Sequence, residues 1–298
     1  CIARLEPARI QYSIGRCGFA MNRRLLTERG ILNAPNPAGP VDHDVPVLKI
    51  ETPDGSKVRG LVFGYACHNT TLGFYQWCGD YSGFAQLYLE DRYPDAIAMF
   101  YTGGGADQNP LPRRKIELAQ KYGRMLGVSV DEVLDEPMQT VSGNLASSFE
   151  EVPLEFNQLP SKAELESRLE SSSRYERARA KLLLSEWDRD GSLPKTWPYP
   201  IQVWKLGKEI NWVALGGELV VDYQIRLKKE LGKNSTWVTG YANDVMAYIP
   251  SERVLEEGGY EGDTSMIVYQ LPSKWKAGLE DQIVSTVHRL AKQNATAK

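Results

Sequence analysis

The run VRGLVFGYAC, residues 58–67, ends abruptly on His68 and three small polar residues, Asn69, Thr70 and Thr71. An apolar run of this length is typical of a buried strand, and the polar groups at its end mark where it leaves the core. It therefore delivers an imidazole to the mouth of the core. A second apolar run, IAMFY at 97–101, leads into the Gly-rich loop TGGGADQNP at 102–110, which is expected to floor the same site. A lone histidine after a strand is more often structural than catalytic. His68 gains a functional reading only from its surroundings.

With 298 residues the chain can bury a sizeable core, as one large α/β domain or two smaller ones. Its hydrophobic fraction of 42%, charged fraction of 24% and net charge of -3 are those of an ordinary globular protein. Nothing in that balance asks for nucleic acid or an anionic membrane. No run approaches the ~18–20 apolar residues that cross a bilayer. The four cysteines, Cys1, Cys17, Cys67 and Cys78, form no CxxC pair. A Cys67–Cys78 disulfide across the loop after the strand is one expectation. A chain that starts CIARLEP shows neither an initiator Met nor a signal peptide, and reads as cut from a longer one. A lipid-bearing Cys1 is the alternative, but no flexible polar tether follows it.

Taken in order, ARIQYSIGRCGFAMNRR at 8–24 predicts a strand and then a basic turn at Asn22, Arg23 and Arg24. Residues 30–44, with three prolines, predict an irregular loop whose His43 lies at the surface. VPVLKIE and VRGLVFGYAC flank the turn signal PDGSK and predict a hairpin. From Asp80 the period changes, and Phe84, Leu87 and Tyr88 predict an amphipathic helix with Asp80 as its cap. The IAMFY strand and a long helix over 113–136 follow, and this order argues for an α/β layered domain. Residues 145–157 predict an edge strand, and 161–190 a charged helical excursion broken by serines, read as an insertion with solvated faces. YPIQVWKLG and INWVALGG then predict two strands.

INWVALGG leads directly into Glu218, expected on the first turn of the helix LVVDYQIRLKKELG, where the dipole favours an ionised carboxylate. Strand ends open into clefts in α/β sheets. A merely structural acid at a helix start remains the alternative. TWVTGYAN predicts a further strand, and Tyr248 and Tyr260 flank a short helix. The closing helix from Lys274 is expected to pack a stripe of Ile283, Val287 and Leu290.

HNTTL, GDYSGFAQ, GGGADQNP, WVALGGELV, GYANDVMAYIPSE and YEGDTSM occur along this chain in that order. Together they resemble the neutral/alkaline, non-lysosomal ceramidase family, over a span from about Asn22 to Tyr260. The resemblance implies layered mixed sheets flanked by helices, in a single large domain lacking its N-terminal part. It also implies a Zn2+ site, in which His68, Glu218 and Tyr248 match three of the family's metal ligands. Tyr260 matches a tyrosine near the substrate carbonyl, and Arg23 an arginine of the family's NR turn, with Arg24 left open.

Two departures bear on that chemistry. The family's upstream histidine has no counterpart, because the chain begins after it, so at most three protein ligands are expected. Asn109 stands where the family has a serine, and an amide is no covalent nucleophile, though it positions water or donates to an oxyanion. What the resemblance then implies is hydrolysis of an amide, N-acyl sphingosine or a relative, with metal-activated water attacking the carbonyl. Tyr260, Arg23 and backbone N–H groups of Gly103–Gly105 are expected to meet the developing charge, and Asp80 and Asp107 to orient the metal ligands. The family's C-terminal immunoglobulin-like domain is not matched. The partners implied are a small-molecule or lipid amide and a peripheral membrane contact, in a secreted or periplasmic setting. The competing readings are a catalytically silent binding or structural protein and a hydrolase of a non-lipid amide.

Overall fold

Period-two alternation builds two main sheets, and the faces it creates decide what packs where. The computed structural model describes residues 5–296, so Cys1, weighed above as a lipid attachment point, lies outside the described residues. The N-terminal stretch forms β1 (Arg9–Arg16), β2 (Ala20–Asn22), β3 (Arg24–Thr27) and β4 (Gly30–Asn33). β5 (Asp44–Glu51) and β6 (Val58–Tyr65) make the expected antiparallel hairpin. Next come α1 (Asp80–Arg92), β7 (Ile97–Thr102), β8 (Gln108–Pro110), α2 (Ile116–Asp135) and β9 (Gln139–Thr140). β7 lies parallel to β6, and the first sheet runs β7-β6-β5-β1-β9.

The second sheet begins at β10 (Leu145–Glu155), which is its edge as the sequence suggests. The excursion follows as α3 (Lys162–Arg168) and α4 (Arg174–Asp190), each opened by a serine side chain accepting from a backbone N–H. Its charged faces are not all solvated. Arg179 is buried, donating to the Leu271 and Pro272 carbonyls, and Leu165, Leu183 and Leu193 form a small core beneath. β11 (Thr196–Leu206) and β12 (Ile210–Leu215) lead to β13 (Glu218–Leu219), α5 (Val221–Leu231), β14 (Thr236–Thr239) and β15 (Tyr248–Ile249). The chain closes with α6 (Glu252–Glu257), a π-helical turn (Tyr260–Thr264), α7 (Ser265–Val268) and α8 (Leu279–Thr296). The sheet order is β10-β11-β12-β14.

Successive residues of a strand point to opposite faces, so each sheet has two apolar faces to cover. Leu61, Phe63 and Tyr65 of β6 pack with Tyr81 and Leu89 of α1 and Leu126 and Val130 of α2. Val62, on the other face, joins Tyr12, Leu48, Ile210 and Trp237 between the sheets. There the Tyr101 and Trp212 rings lie 4.9 Å apart. Val213 and Val238 face away from that seam, into a core closed by Ile283, Val287 and Leu290 of α8. The layers are helix, sheet, sheet, helix. Burying each such aliphatic side chain contributes about 1.5–3 kcal/mol, and the α8 stripe is enough to seat the last layer.

The two halves are also joined by charge. Lys228 of α5 is buried with its ammonium 2.5 Å from Asp42 and 3.0 Å from Asp44. Burial works to raise the Asp42 pKa, but Lys228 outweighs it and holds the carboxyl below its ordinary value. A depressed carboxylate stabilises the fold above its unfolded pKa, about 3.9, and that contribution is lost as pH falls through the folded value. Lys228→Met is therefore expected to cost about 3–5 kcal/mol at neutral pH, since it strands a buried carboxylate. In urea titrations the deficit should shrink below about pH 4.

Candidate active site

β6 ends at Tyr65, and two residues of turn carry the chain to His68, whose backbone N–H bonds to the Gln108 carbonyl at 3.1 Å. β12 ends at Leu215 and the chain bends through Gly217, whose φ of +67° suits glycine. A Cβ there would also stand 2.7 Å from the Ala247 carbonyl. The bend sets β13 parallel to β15 with Glu218 directly opposite Tyr248. Residues on neighbouring strands in register share a face. A carboxylate and a phenol thirty positions apart are thereby made neighbours.

The side chains expected as metal ligands converge. His68 Nε2 lies 3.7 Å from Glu218 Oε2 and 3.4 Å from the Tyr248 hydroxyl. Two tyrosines that sequence reasoning missed complete the cluster. Tyr241 donates to Glu218 Oε2 at 2.9 Å and sits 3.2 Å from His68 Nδ1, while Tyr269 donates to Glu218 Oε1. Tyr241 lies in the GYAN stretch already singled out, but it reaches the site from a φ of +57°, which no residue pattern announces. Tyr269 stands outside every motif quoted.

Arg23 braces the other side. Its guanidinium donates to Glu261 at 2.7 Å, to Tyr248 at 3.1 Å and to Asn109 Oδ1 at 3.3 Å. Arg24, left open as an alternative, instead bonds Glu261, Glu257 and the Gly258 carbonyl, so Arg23 is the arginine of the cluster. Glu261, which pairs with both, was also missed. The Tyr260 ring stands edge-on to Tyr248 at 5.3 Å, with Arg23 5.9 Å from its centre.

Electrostatics set the protonation of the cluster. Burial first, and then the Arg23 charge, push His68 down to about 3, so the imidazole is neutral at pH 7. Its Nε2 lies 2.8 Å from the Ala106 carbonyl, which only accepts, so Nε2 carries the proton. Burial raises the Tyr248, Tyr260, Tyr241 and Tyr269 phenols, and all four keep their protons.

The expectations for Asp80, Asp107 and the Gly103 and Gly104 N–H groups fail for one physical reason, the demand of buried backbone groups for partners. Asp80 neither caps α1 nor touches the cluster: Gly79 is the cap, and the Asp80 carboxylate accepts from the Leu72 and Tyr81 N–H groups. Asp107 accepts from Val221 N–H and from Asn22, and burial pushes its carboxyl up to about 6. Gly103 and Gly104 N–H are engaged by the Tyr65 carbonyl and Gln224, and are no oxyanion donors. Gly105 is required by closeness, since a Cβ would lie 2.3 Å from the Ala66 carbonyl carbon. Glu218 belongs to a strand ahead of α5, so no helix first turn holds it. Cys67, buried, and Cys78, exposed, are both free thiols.

The donors can be tested against a divalent ion. Zinc ligands at about 2.0–2.1 Å in a tetrahedron stand about 3.3–3.4 Å from one another, close to the 3.4 and 3.7 Å found. Glu218 is buried and takes phenol hydrogen bonds, but no guanidinium or ammonium pairs with it among the described residues. Its charge is open to a cation. No group of three His, Cys, Asp or Glu side chains that could hold a metal occurs among the described residues. The third donor is a phenol, and the ion would have to displace both the proton on Nε2 and the Ala106 carbonyl that this nitrogen bonds. On these terms one imidazole, one carboxylate and one phenol fit a three-donor set.

No family model matches the chain. No curated protein matches it in sequence. Solved structures do match. One described as a ceramidase complexed with C2 superposes with a TM-score of 0.69 at 17% identity, covering 100% of this chain and 56% of that one. The neutral ceramidase from Pseudomonas aeruginosa superposes with a TM-score of 0.64 at 19% identity, covering 97% of this chain and 54% of that one. The chain thus spans a little over half the length of the structures it matches, and at such identity the likeness is one of fold: the protein has a ceramidase-like α/β fold.

Proposed function

We propose that this chain is a zinc-dependent hydrolase of an amide bond, acting on N-acyl sphingosine or a related amide. The observation that carries the reading is Glu218, a buried carboxylate without a cationic partner among the described residues, set beside a neutral imidazole and a phenol. The ceramidase-like fold supports it. His68, Glu218 and Tyr248 are the residues that would hold the ion. When bound, zinc supplies a Lewis acid that polarises a carbonyl and acidifies water.

The chain's own groups do the rest. Tyr241 and Tyr269 fix the Glu218 carboxylate by one phenol on each oxygen. Arg23, whose charge Tyr248 and Glu261 sustain against burial, fixes the Tyr248 oxygen. Tyr260 keeps its proton and is the donor to the carbonyl oxygen as negative charge grows there. Asn109 is held through its oxygen by Arg23, which leaves the amide NH2 as a second donor or as a rest for water. A secreted or periplasmic setting belongs to the same proposal.

Asn109 also favours the second reading, a ceramidase-like binding protein without turnover, because it stands where a serine is expected. Metal analysis and a substrate panel of N-acyl sphingosine and short amides separate the two. The hydrolase should bind about one zinc per chain, lost in Glu218→Ala and His68→Ala while circular dichroism is unchanged. Zinc binding with no turnover on any amide would favour the binding protein. Tyr260→Phe should lower turnover about 10²-fold with zinc content intact. Equal loss of metal and turnover would remove Tyr260 from its role.

A further inference from the structure

Seven residues in succession, Gly73 to Gly79 (GFYQWCG), are exposed, and none of them is charged. Tyr75 and Trp77 are fully exposed, and Phe74 is exposed beside them. The loop is not slack. The Leu72 N–H bonds to the Asp80 carboxylate at 2.8 Å, and Asp80, at a φ of +53°, bonds back to Tyr81 N–H at 2.7 Å, so a carboxylate clasps the neck. Leu87 of α1, also exposed, lines a cleft with Cys78, Phe84 and Glu90 at the foot of the loop. Large aromatics are ordinarily buried, and here the fold spends a clasp on holding them out.

Beneath the aromatic tip lies a basic base. Arg113, Arg114 and Lys115 are consecutive. Arg114 N–H bonds the Thr71 carbonyl at 2.6 Å and its guanidinium reaches the Leu72 carbonyl at 3.5 Å, while Arg113 bonds Thr70 at 3.4 Å. Neither arginine spends its charge on a carboxylate in these contacts. Arg114 and Lys115 are exposed. An uncharged Phe-Tyr-Trp tip over a short run of basic side chains matches the interface of an anionic bilayer: amphipathic rings at the headgroup level, cations at the phosphates. The chain's net charge of -3 gives no general attraction to such a surface. Local charge must supply it.

We propose that the Leu72–Gly79 loop docks the protein on an anionic lipid bilayer, with Tyr75 and Trp77 in the interface and Arg114 and Lys115 on the headgroups. The docking rests on the loop and its basic base. Only its consequence rests on the proposed hydrolase, namely that the amide substrate is met in a membrane, since the loop begins four residues after His68.

Sedimentation with phosphatidylcholine vesicles containing roughly a third phosphatidylglycerol tests it. The protein should pellet with these vesicles, less with phosphatidylcholine alone, and less again as salt rises from about 0.1 to 1 M. Tyr75→Ser with Trp77→Ser should weaken binding at least about tenfold, and Arg114→Gln with Lys115→Gln should remove the preference for anionic lipid. Circular dichroism and turnover of a short soluble amide should be unchanged in both. Wild-type protein that stays in the supernatant would overturn the proposal, as would an aromatic variant that pellets like wild type. A dimer in sedimentation velocity that the aromatic substitutions split would also overturn it, because a second copy would then be the occupant. Vesicle binding without amide turnover would remove the hydrolase reading and leave the docking; turnover of short amides without vesicle binding would do the reverse.

Discussion

Glu261 accepts from Arg23 on one oxygen and from Arg24 on the other, and all three side chains are buried. This is the contact on which the cluster's geometry turns, because it ties the turn between β2 and β3 to the π-helical turn that carries Tyr260, across 238 positions of sequence. A buried ion pair of this kind is weak as a source of net stability, since desolvation offsets much of the attraction. Its worth is positional. With Glu261 holding Nε, the other end of the Arg23 guanidinium is aimed at Tyr248 and Asn109, and the planar fork leaves little freedom to drift.

The charges around the cluster also sort themselves. Arg23 and Arg24 are answered by Glu261 and Glu257. His68 is neutral, pushed to that state by burial and by Arg23. Glu218 is left over, with phenols for company and no cation among the described residues. A phenol bonds a carboxylate without neutralising it, so the local field stays attractive to a small positive ion. The proposed zinc follows from this remainder more directly than from any distance.

Sequence made part of this legible. The end of an apolar strand is visible in residue type, and so His68 and Glu218 could be picked out at the ends of β6 and β12. Tyr248 needed the order of motifs, because nothing in the composition of β15 tells that it pairs with β13. Arg23 and Arg24 could not be told apart, since neighbours in extended chain diverge and only the third dimension says which one meets Tyr248. Asp80 and Asp107 misled because a carboxylate near a histidine looks the same whether it serves a metal ligand or a backbone N–H. Both serve the backbone. Tyr269 contacts Glu218 from 51 positions away, with no periodicity to betray it. The exposed aromatic loop was written in plain residues but looked like part of a motif, and only its solvent exposure gives it a meaning of its own.

Asn109 limits the chemistry open to the proposed hydrolase. It lies on β8, opposite Met21 of β2, so its backbone is fixed by strand pairing rather than by a loop. Its side chain gives an oxygen to Arg23 and has no ionisable or nucleophilic atom. A hydroxyl in that place would offer an attacking oxygen and, being shorter, a looser hold on the guanidinium. The amide gives up the attacking oxygen and holds the guanidinium. No step can pass through an enzyme ester at residue 109; in the proposed hydrolase the attacking oxygen is that of water, with Tyr260 and the Asn109 NH2 as the donors to the carbonyl oxygen.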